Sequence, residues 1–251
     1  MTRRRTSIVT GAAGGIGEGV ARGLARRGDG VVLVDLNEER LTVVEAEMKA
    51  SGASVISVPT DVTASGDLAR MVEAAVAAFG GVEVFVAAAG GHGGAKPAEA
   101  VEDEEWEASI ALNLTGVFKS ARAVIPVMRE AGYGSMVFVS SATGQMPTTS
   151  MPSVSYYAAG KAGVQGLTRQ LAVEFGPYGV TVNAVAPGTT LTDRVRRLRP
   201  PEALERIAET IPLGRIAEVE DQVGPILFLT SDEARYITGV TLDVNGGRLM
   251  S

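Results

Sequence analysis

The sequence predicts an α/β fold, a single doubly wound domain whose seven-stranded parallel sheet is flanked by helices on both faces. Three observations carry that prediction. Short, nearly continuous apolar runs recur at residues 7–10, 31–34, 54–58, 82–86, 136–139, 180–185 and 240–244, the composition of strands buried on both faces. Helical patterns separate them at 15–27, 38–50, 65–79, 103–129, 155–175 and 219–230. No linker, composition shift or tandem repeat divides the chain, so residues 1–251 are expected to form one domain with right-handed crossovers.

The first run ends in Thr10-Gly11-Ala12-Ala13-Gly14-Gly15-Ile16-Gly17 and then enters a helix. Glycines at such a turn let backbone N–H groups approach a pyrophosphate at the positive end of the helix. The spacing is G-x-x-x-G-x-G rather than the strict G-x-G-x-x-G of dinucleotide sites. The second run ends in Asp35, 18 residues past Gly17. A carboxylate there can accept hydrogen bonds from both adenosine ribose hydroxyls and repels a 2′-phosphate. Ala12, Ala13, Leu36 and Asn37 offer no cation to attract one, so NAD(H) is expected in preference to NADP(H).

Farther along, Gly90-Gly91-His92-Gly93-Gly94 follows the fourth run, and His92 is either a solvated loop residue or a substrate contact. The pattern over 103–129 contains Pro126, expected to kink the helix or end its regular part. Ser140 and Ser141 lie just beyond the fifth strand, where open α/β sheets bind ligands. The irregular stretch 142–154 follows, with Gln145, Met146, Met151 and Val154 as candidate pocket walls of mixed polarity. Tyr157 and Lys161 then fall at i and i+4 on one helix face. A phenol ordinarily titrates near 10, and bringing it close to neutrality takes roughly 4 kcal/mol of differential stabilisation of the phenolate. A neighbouring ammonium and a positively charged nicotinamide are groups of the kind that supply it. Tyr156 has Gly160, not a cation, at that spacing.

Composition narrows the chemistry further. The chain has no Cys and one His, which excludes disulfides, thiolate metal sites and Cys nucleophiles, and leaves no basis for a His triad or a multi-His zinc centre. No metal is expected. A formal net charge of −6 argues against a phosphate-backbone binder, although Arg3, Arg4 and Arg5 form a small basic tip. No secretory or membrane-spanning segment is apparent, and the cytoplasm is the default compartment.

Taken together and in order, Thr10 to Gly17, Asp61-Val62, Ala89-Gly90, Asn113, Ser141, Tyr157/Lys161, Pro187-Gly188 and Asn245-Gly246-Gly247 give a sequence that resembles the short-chain dehydrogenase/reductase family from about residue 7 to 250. It is similar in flavour to its 3-oxoacyl reductases and secondary-alcohol dehydrogenases, as in Tyr236-Ile237-Thr238-Gly239. The resemblance implies a Rossmann fold and a catalytic set of Asn113, Ser141, Tyr157 and Lys161. Tyr157 would exchange the proton, Lys161 would lower its pKa and hold the nicotinamide ribose, and Ser141, in preference to Ser140, would bind the substrate oxygen. Asn113 would hold a water linking Lys161 to solvent. Cofactor contacts are implied at Gly11, Ala13, Gly15, Ile16, Gly17, Asp35, Leu36, Asp61, Val62, Ala88, Ala89, Gly90, Pro187, Gly188, Thr190 and Thr192, besides Tyr157 and Lys161. Ser141, His92, Gln145 and Met151 would face the substrate.

Two departures stand out. Ala87-Ala88-Ala89-Gly90 replaces the family's usual Asn-Asn-Ala-Gly, so the strand-tying amide bonds are expected to be taken by water or dropped. The interval from Ser141 to Tyr157 is also a few residues longer than is typical of the family.

Residues 189–215 look like the family's mobile substrate lid. Its Arg194, Arg196, Arg197 and Arg199 form either a solvated face or a recognition element for a carboxylate, phosphate or acyl-carrier group, and Arg196 and Arg197 are the pair whose charge reversal separates the two. Helices near 113–129 and 155–175 carry Ala121, Val124, Ala162, Val164, Leu167 and Leu171 on a face expected to lie outward, and related proteins pair these helices as homotetramers or dimers. The leading expectation is an NAD-dependent oxidoreductase of a small-molecule secondary alcohol or ketone. An NADPH-dependent 3-oxoacyl-thioester reductase and a non-catalytic dinucleotide-binding scaffold are the two other readings.

Overall fold

Each apolar run becomes a strand: β1 (Thr6–Thr10), β2 (Gly30–Asp35), β3 (Val55–Pro59), β4 (Val84–Ala87), β5 (Gly134–Val139), β6 (Val180–Pro187) and β7 (Thr241–Val244). The structure is a computed structural model and describes residues 5–147 and 154–250. All pairings are parallel, in the order β3-β2-β1-β4-β5-β6-β7. The chain winds outward from β1 to β3, then returns across β1 to place β4 on its other side. The crevice beyond the carboxyl ends of β1 and β4 is therefore the point where strand order reverses, the position at which such sheets take ligands.

Alternation along the strands divides the core into two layers. Ile8, Val32, Phe85, Phe138 and Val182 face α3 (Ser65–Phe79), α5 (Gly116–Ala131) and α6 (Ser155–Phe175). Val9, Leu33, Val86, Val137 and Val185 face α1 (Gly15–Arg26), α2 (Glu38–Ala50) and α9 (Val219–Leu229). Both faces of the central strands are dry, which is why their sequences read as apolar runs rather than as alternation.

Three details depart from the sequence-based expectation. The pattern over 103–129 is interrupted not at Pro126 but by a π-turn, Ala111–Thr115, between α4 (Asp103–Ile110) and α5. Pro126 is exposed inside α5, where water can satisfy the carbonyl left without its helical partner, so the helix runs on to Ala131. The lid contains two short helices, α7 (Asp193–Leu198) and α8 (Pro201–Ala208), started by the Thr192 cap and by Pro201. Most of the residues assigned to an outward assembly face in fact point inward: Ala121, Val124, Val164 and Leu171 are buried, and Leu167 packs on the core, because these helices cover the sheet within the same chain. Of that set only Ala162 is exposed, alongside Phe118 and Val173 on the true outer faces. Residues Asp103–Ala131 have the length and apolarity to cross a membrane, yet Val117, Ala121, Val124 and Met128 are buried against the sheet.

Candidate active site

The site assembles at the carboxyl edge of the sheet because nearly every implied residue follows a strand end. Gly11 to Gly17 follow β1, Asp35 and Leu36 close and follow β2, and Asp61 and Val62 follow β3. Ala88 to Gly90 follow β4, Ser141 follows β5, and Pro187 to Thr192 close and follow β6.

At the first turn, Gly17 is packed so closely that a Cβ would run into the Gly11 carbonyl oxygen, and Gly11 itself adopts φ 72°. The Asp35 carboxylate accepts from Ala13 N at 3.2 Å and from Asn37 N at 3.0 Å, which fixes it at the mouth of the turn. One cation does lie nearby, unlike the expectation drawn from adjacent residues alone. Arg40, in the first turn of α2, donates to the Ala13 carbonyl at 3.3 Å, while its other end pairs with Glu18 at 3.1 Å. Thr192 closes the far side, its methyl 3.0 Å from where a Gly15 Cβ would sit, while its hydroxyl caps α7. Val62 is buried and touches Gly116, whereas Asp61 uses its carboxylate on Thr63.

At the strand end where the usual amides are absent, a hydroxyl on the neighbouring strand makes the link between the two. Thr10 Oγ1 accepts from both Ala88 N and Ala89 N at 3.2 Å, tying β1 to the segment after β4.

Ser141, Tyr157 and Lys161 converge. The Tyr157 hydroxyl lies beside Ser141, whose Oγ accepts from Thr143 N at 3.2 Å. The Lys161 ammonium lies 5.6 Å from the Tyr157 ring centroid, is buried, and donates to the Val139 carbonyl at 2.7 Å. Burial pushes the Lys161 amine down to about 8 and pushes the Tyr157 phenol up, while the Ser141 hydroxyl and the charge of Arg194 pull the phenol the other way. Ser140 is structural: its hydroxyl donates to the Lys161 carbonyl at 2.9 Å and accepts from Gln165. Tyr156 turns away and donates to the Gly94 carbonyl.

Asn113 sits in the π-turn, fully buried. Its Oδ1 accepts from Gly91 N at 2.9 Å, and its Nδ2 donates to Gly91 O at 2.9 Å and Ser109 O at 3.0 Å. The amide is thus committed to the loop after β4. Gly90 (φ 159°) lies between this amide and the lysine, and a Cβ there would be 2.9 Å from Asn113 Oδ1 and 3.1 Å from Lys161 Nζ.

The substrate side is bounded by His92, whose ring lies 5.0 Å from the Tyr157 ring. Among the described residues its Nδ1 is buried without a partner, as is Gln145 Oε1, and burial holds the imidazole below its ordinary value. Met151 falls outside the described residues. Of the lid arginines, Arg196 pairs with Glu218 at 3.2 Å and Arg197 is exposed, whereas Arg194 reaches the loop and donates to the His92 carbonyl. Sequence reasoning missed Arg40 and the grip on Gly91, since both depend on contacts remote along the chain.

The residues present suit a nicotinamide dinucleotide. Lys161 is a buried ammonium with one acceptor among the described residues, so it has two further protons for a ribose diol, and Asp35 can accept from the other ribose. The described residues hold no cluster of metal-ligating groups.

Residues 11–248 match a family described as "Enoyl-(Acyl carrier protein) reductase". The chain is 37% identical over 247 residues to 2,5-dichloro-2,5-cyclohexadiene-1,4-diol dehydrogenase of Sphingobium indicum, covering 97% of this chain and 95% of that one. It is 38% identical over 249 residues to 4-formylbenzenesulfonate dehydrogenase of Comamonas testosteroni, with 98% of each covered. Among solved structures, a single-residue variant of actinorhodin polyketide ketoreductase with NADPH superposes with a TM-score of 0.92 at 31% identity, covering 98% of this chain and 97% of that one.

Proposed function

The chain belongs to the short-chain dehydrogenase/reductase family, and on that premise we propose that it is an NAD-dependent oxidoreductase of a secondary alcohol or ketone borne on a small ring. Action on a CH–OH donor or its carbonyl with a nicotinamide cofactor follows from family membership. The observation that carries the catalytic reading is the convergence of Ser141, Tyr157 and buried Lys161 at the edge where strand order reverses. The ring is an inference from the two relatives, each named for a compound with a six-membered carbocycle.

When bound, the nicotinamide supplies hydride acceptance or donation. The protein's own groups handle the proton. Ser141 holds the substrate oxygen beside the Tyr157 hydroxyl; in oxidation the phenolate takes the alcohol proton, and in reduction the phenol returns it. Lys161 holds the ribose with its remaining donors and keeps positive charge beneath the phenol ring. Asp35 supports the preference for NAD through its reach toward the adenosine ribose.

A second reading, an NADPH-dependent reductase of 3-oxoacyl thioesters, draws on Arg40 beside the Ala13 carbonyl and on the NADPH-bound structural relative. Asp35 opposes it, as the intact Ser141, Tyr157, Lys161 and Asn113 oppose a purely scaffolding role. A homotetramer or homodimer remains part of the proposal, resting on exposed Phe118 and Val173 on α5 and α6, and a monomer by light scattering would remove it. The function itself is tested by following NADH absorbance with NAD over a panel of cyclic alcohols, and with NADH and NADPH over ketones and acyl thioesters. Turnover of ring alcohols with NAD is expected; turnover confined to acyl thioesters with NADPH would establish the second reading in its place.

A further inference from the structure

The four lid arginines are not equivalent. Arg196 is neutralised by Glu218 at 3.2 Å, Arg197 is exposed, and Arg199, also exposed, bears on the His92 ring only by its charge. Arg194, itself exposed, lies across the loop after β4: a Cβ built on Gly91 would sit 2.5 Å from its Nη1, and its Nη2 donates to the His92 carbonyl. Among the described residues no carboxylate pairs with it, and its charge bears on both the His92 ring and the Tyr157 hydroxyl. His92 carries that guanidinium on its backbone while its ring lies 5.0 Å from the Tyr157 ring, so cation and phenol border the same space. The His92 Nδ1 on that wall is buried and without a partner among the described residues.

A guanidinium whose partner here is one carbonyl has further N–H groups to offer, and its fork matches a carboxylate by two parallel hydrogen bonds. We propose that Arg194 is the anion anchor of the substrate pocket, and that the substrate carries a carboxylate a short span from the carbon bearing the reacting oxygen. The carboxylate takes the guanidinium from the His92 carbonyl. The reacting oxygen thereby comes to rest at Ser141 and Tyr157, with His92 filling the space between. This proposal rests on the site being one of alcohol oxidation, but the anchor itself can be read without catalysis.

The test is calorimetric titration of the protein with cyclohexanecarboxylate, which has no hydroxyl to react, in the presence of NAD. The wild type is expected to bind it, Arg194→Gln to bind at least tenfold more weakly, Arg194→Lys to fall between, and Arg197→Ala to match wild type. Arg194→Gln removes the charge and Arg194→Lys keeps it, and neither keeps the guanidinium fork, so the pair separates charge recognition from lid docking. In turnover, Arg194→Gln should lower kcat/KM for 4-hydroxycyclohexanecarboxylate at least tenfold more than it lowers kcat/KM for cyclohexanol, with the KM for NAD within twofold of wild type. Equal carboxylate binding by wild type and Arg194→Gln would overturn the anchor, as would an equal loss on cyclohexanol or a raised KM for NAD. A wild type that binds the carboxylate through Arg194 yet oxidises no alcohol would refute the catalytic reading alone.

Discussion

Asn113 holds Gly91 from both sides, accepting from its N–H and donating to its carbonyl, each at 2.9 Å. A side chain in a π-turn thereby sets the backbone of the loop that carries His92 toward Tyr157. The same amide lies against Gly90, whose other side faces the Lys161 ammonium. Loop, amide and lysine form one packed unit.

Breaking that unit should therefore affect both stability and turnover. Asn113→Ala strands the half-buried Gly91 N–H and C=O, and a cost of about 1–3 kcal/mol is expected in denaturant unfolding. Gly90→Ala introduces a Cβ at φ 159°, within 2.9 Å of Asn113 Oδ1 and 3.1 Å of Lys161 Nζ. It is expected to lower kcat more than it raises the KM for NAD. An unchanged kcat with an intact fold would show that the loop tolerates displacement from the lysine.

Tyr157→Phe removes the hydroxyl beside Ser141 without changing the ring that packs on His92. Turnover should fall roughly 10²–10⁴-fold, the range of a lost general acid–base, while the circular dichroism spectrum is preserved. Near wild-type turnover would mean that the proton travels by another group.

The buried amine gives a pH signature. Lys161 stands at about 8 in the folded state against an ordinary 10.5, through burial. The unfolded chain keeps that proton longer, so across this window it binds more protons than the folded state and stability rises with pH. Lys161→Met lacks the effect. Its stability advantage over wild type, at most about 3 kcal/mol, should shrink as pH rises through the window. A gap that stays flat or widens in denaturant titrations would show that the ammonium is well solvated.

The proposed preference for NAD turns on Asp35 and Arg40, which both contact Ala13. Asp35→Ser removes the carboxylate opposed to a 2′-phosphate while leaving Arg40 at the Ala13 carbonyl. The KM for NAD should rise and that for NADP fall, shifting the ratio of the two kcat/KM values by tenfold or more toward NADP. Arg40→Ala in that background should reverse the gain. A wild type already preferring NADP would contradict the role given to Asp35.

Much of the site was legible because its residues follow strand ends, and strand ends follow from where apolar runs stop. Asp35, Ser141 and Pro187-Gly188 were found this way, and Tyr157/Lys161 by helix spacing. The orientation of α5 and α6 was not found: a run containing Ala121 and Val164 reads the same whether it faces a partner or its own sheet. The fate of Pro126 was equally hidden, since it depends on which side of α5 meets water.

What the sequence determined by itself was the winding of the sheet, the glycine turn, and the identities of the groups brought to its edge, because periodicity and strand length are local properties. Only the tertiary structure decided which of those groups touch. Thr10 ties β1 to the segment after β4, Asn113 clamps Gly91, and Arg194 rather than Arg196 reaches the loop beside Tyr157. Those outcomes join residues far apart in the chain, and distance across a folded core is fixed by packing, which no local pattern encodes.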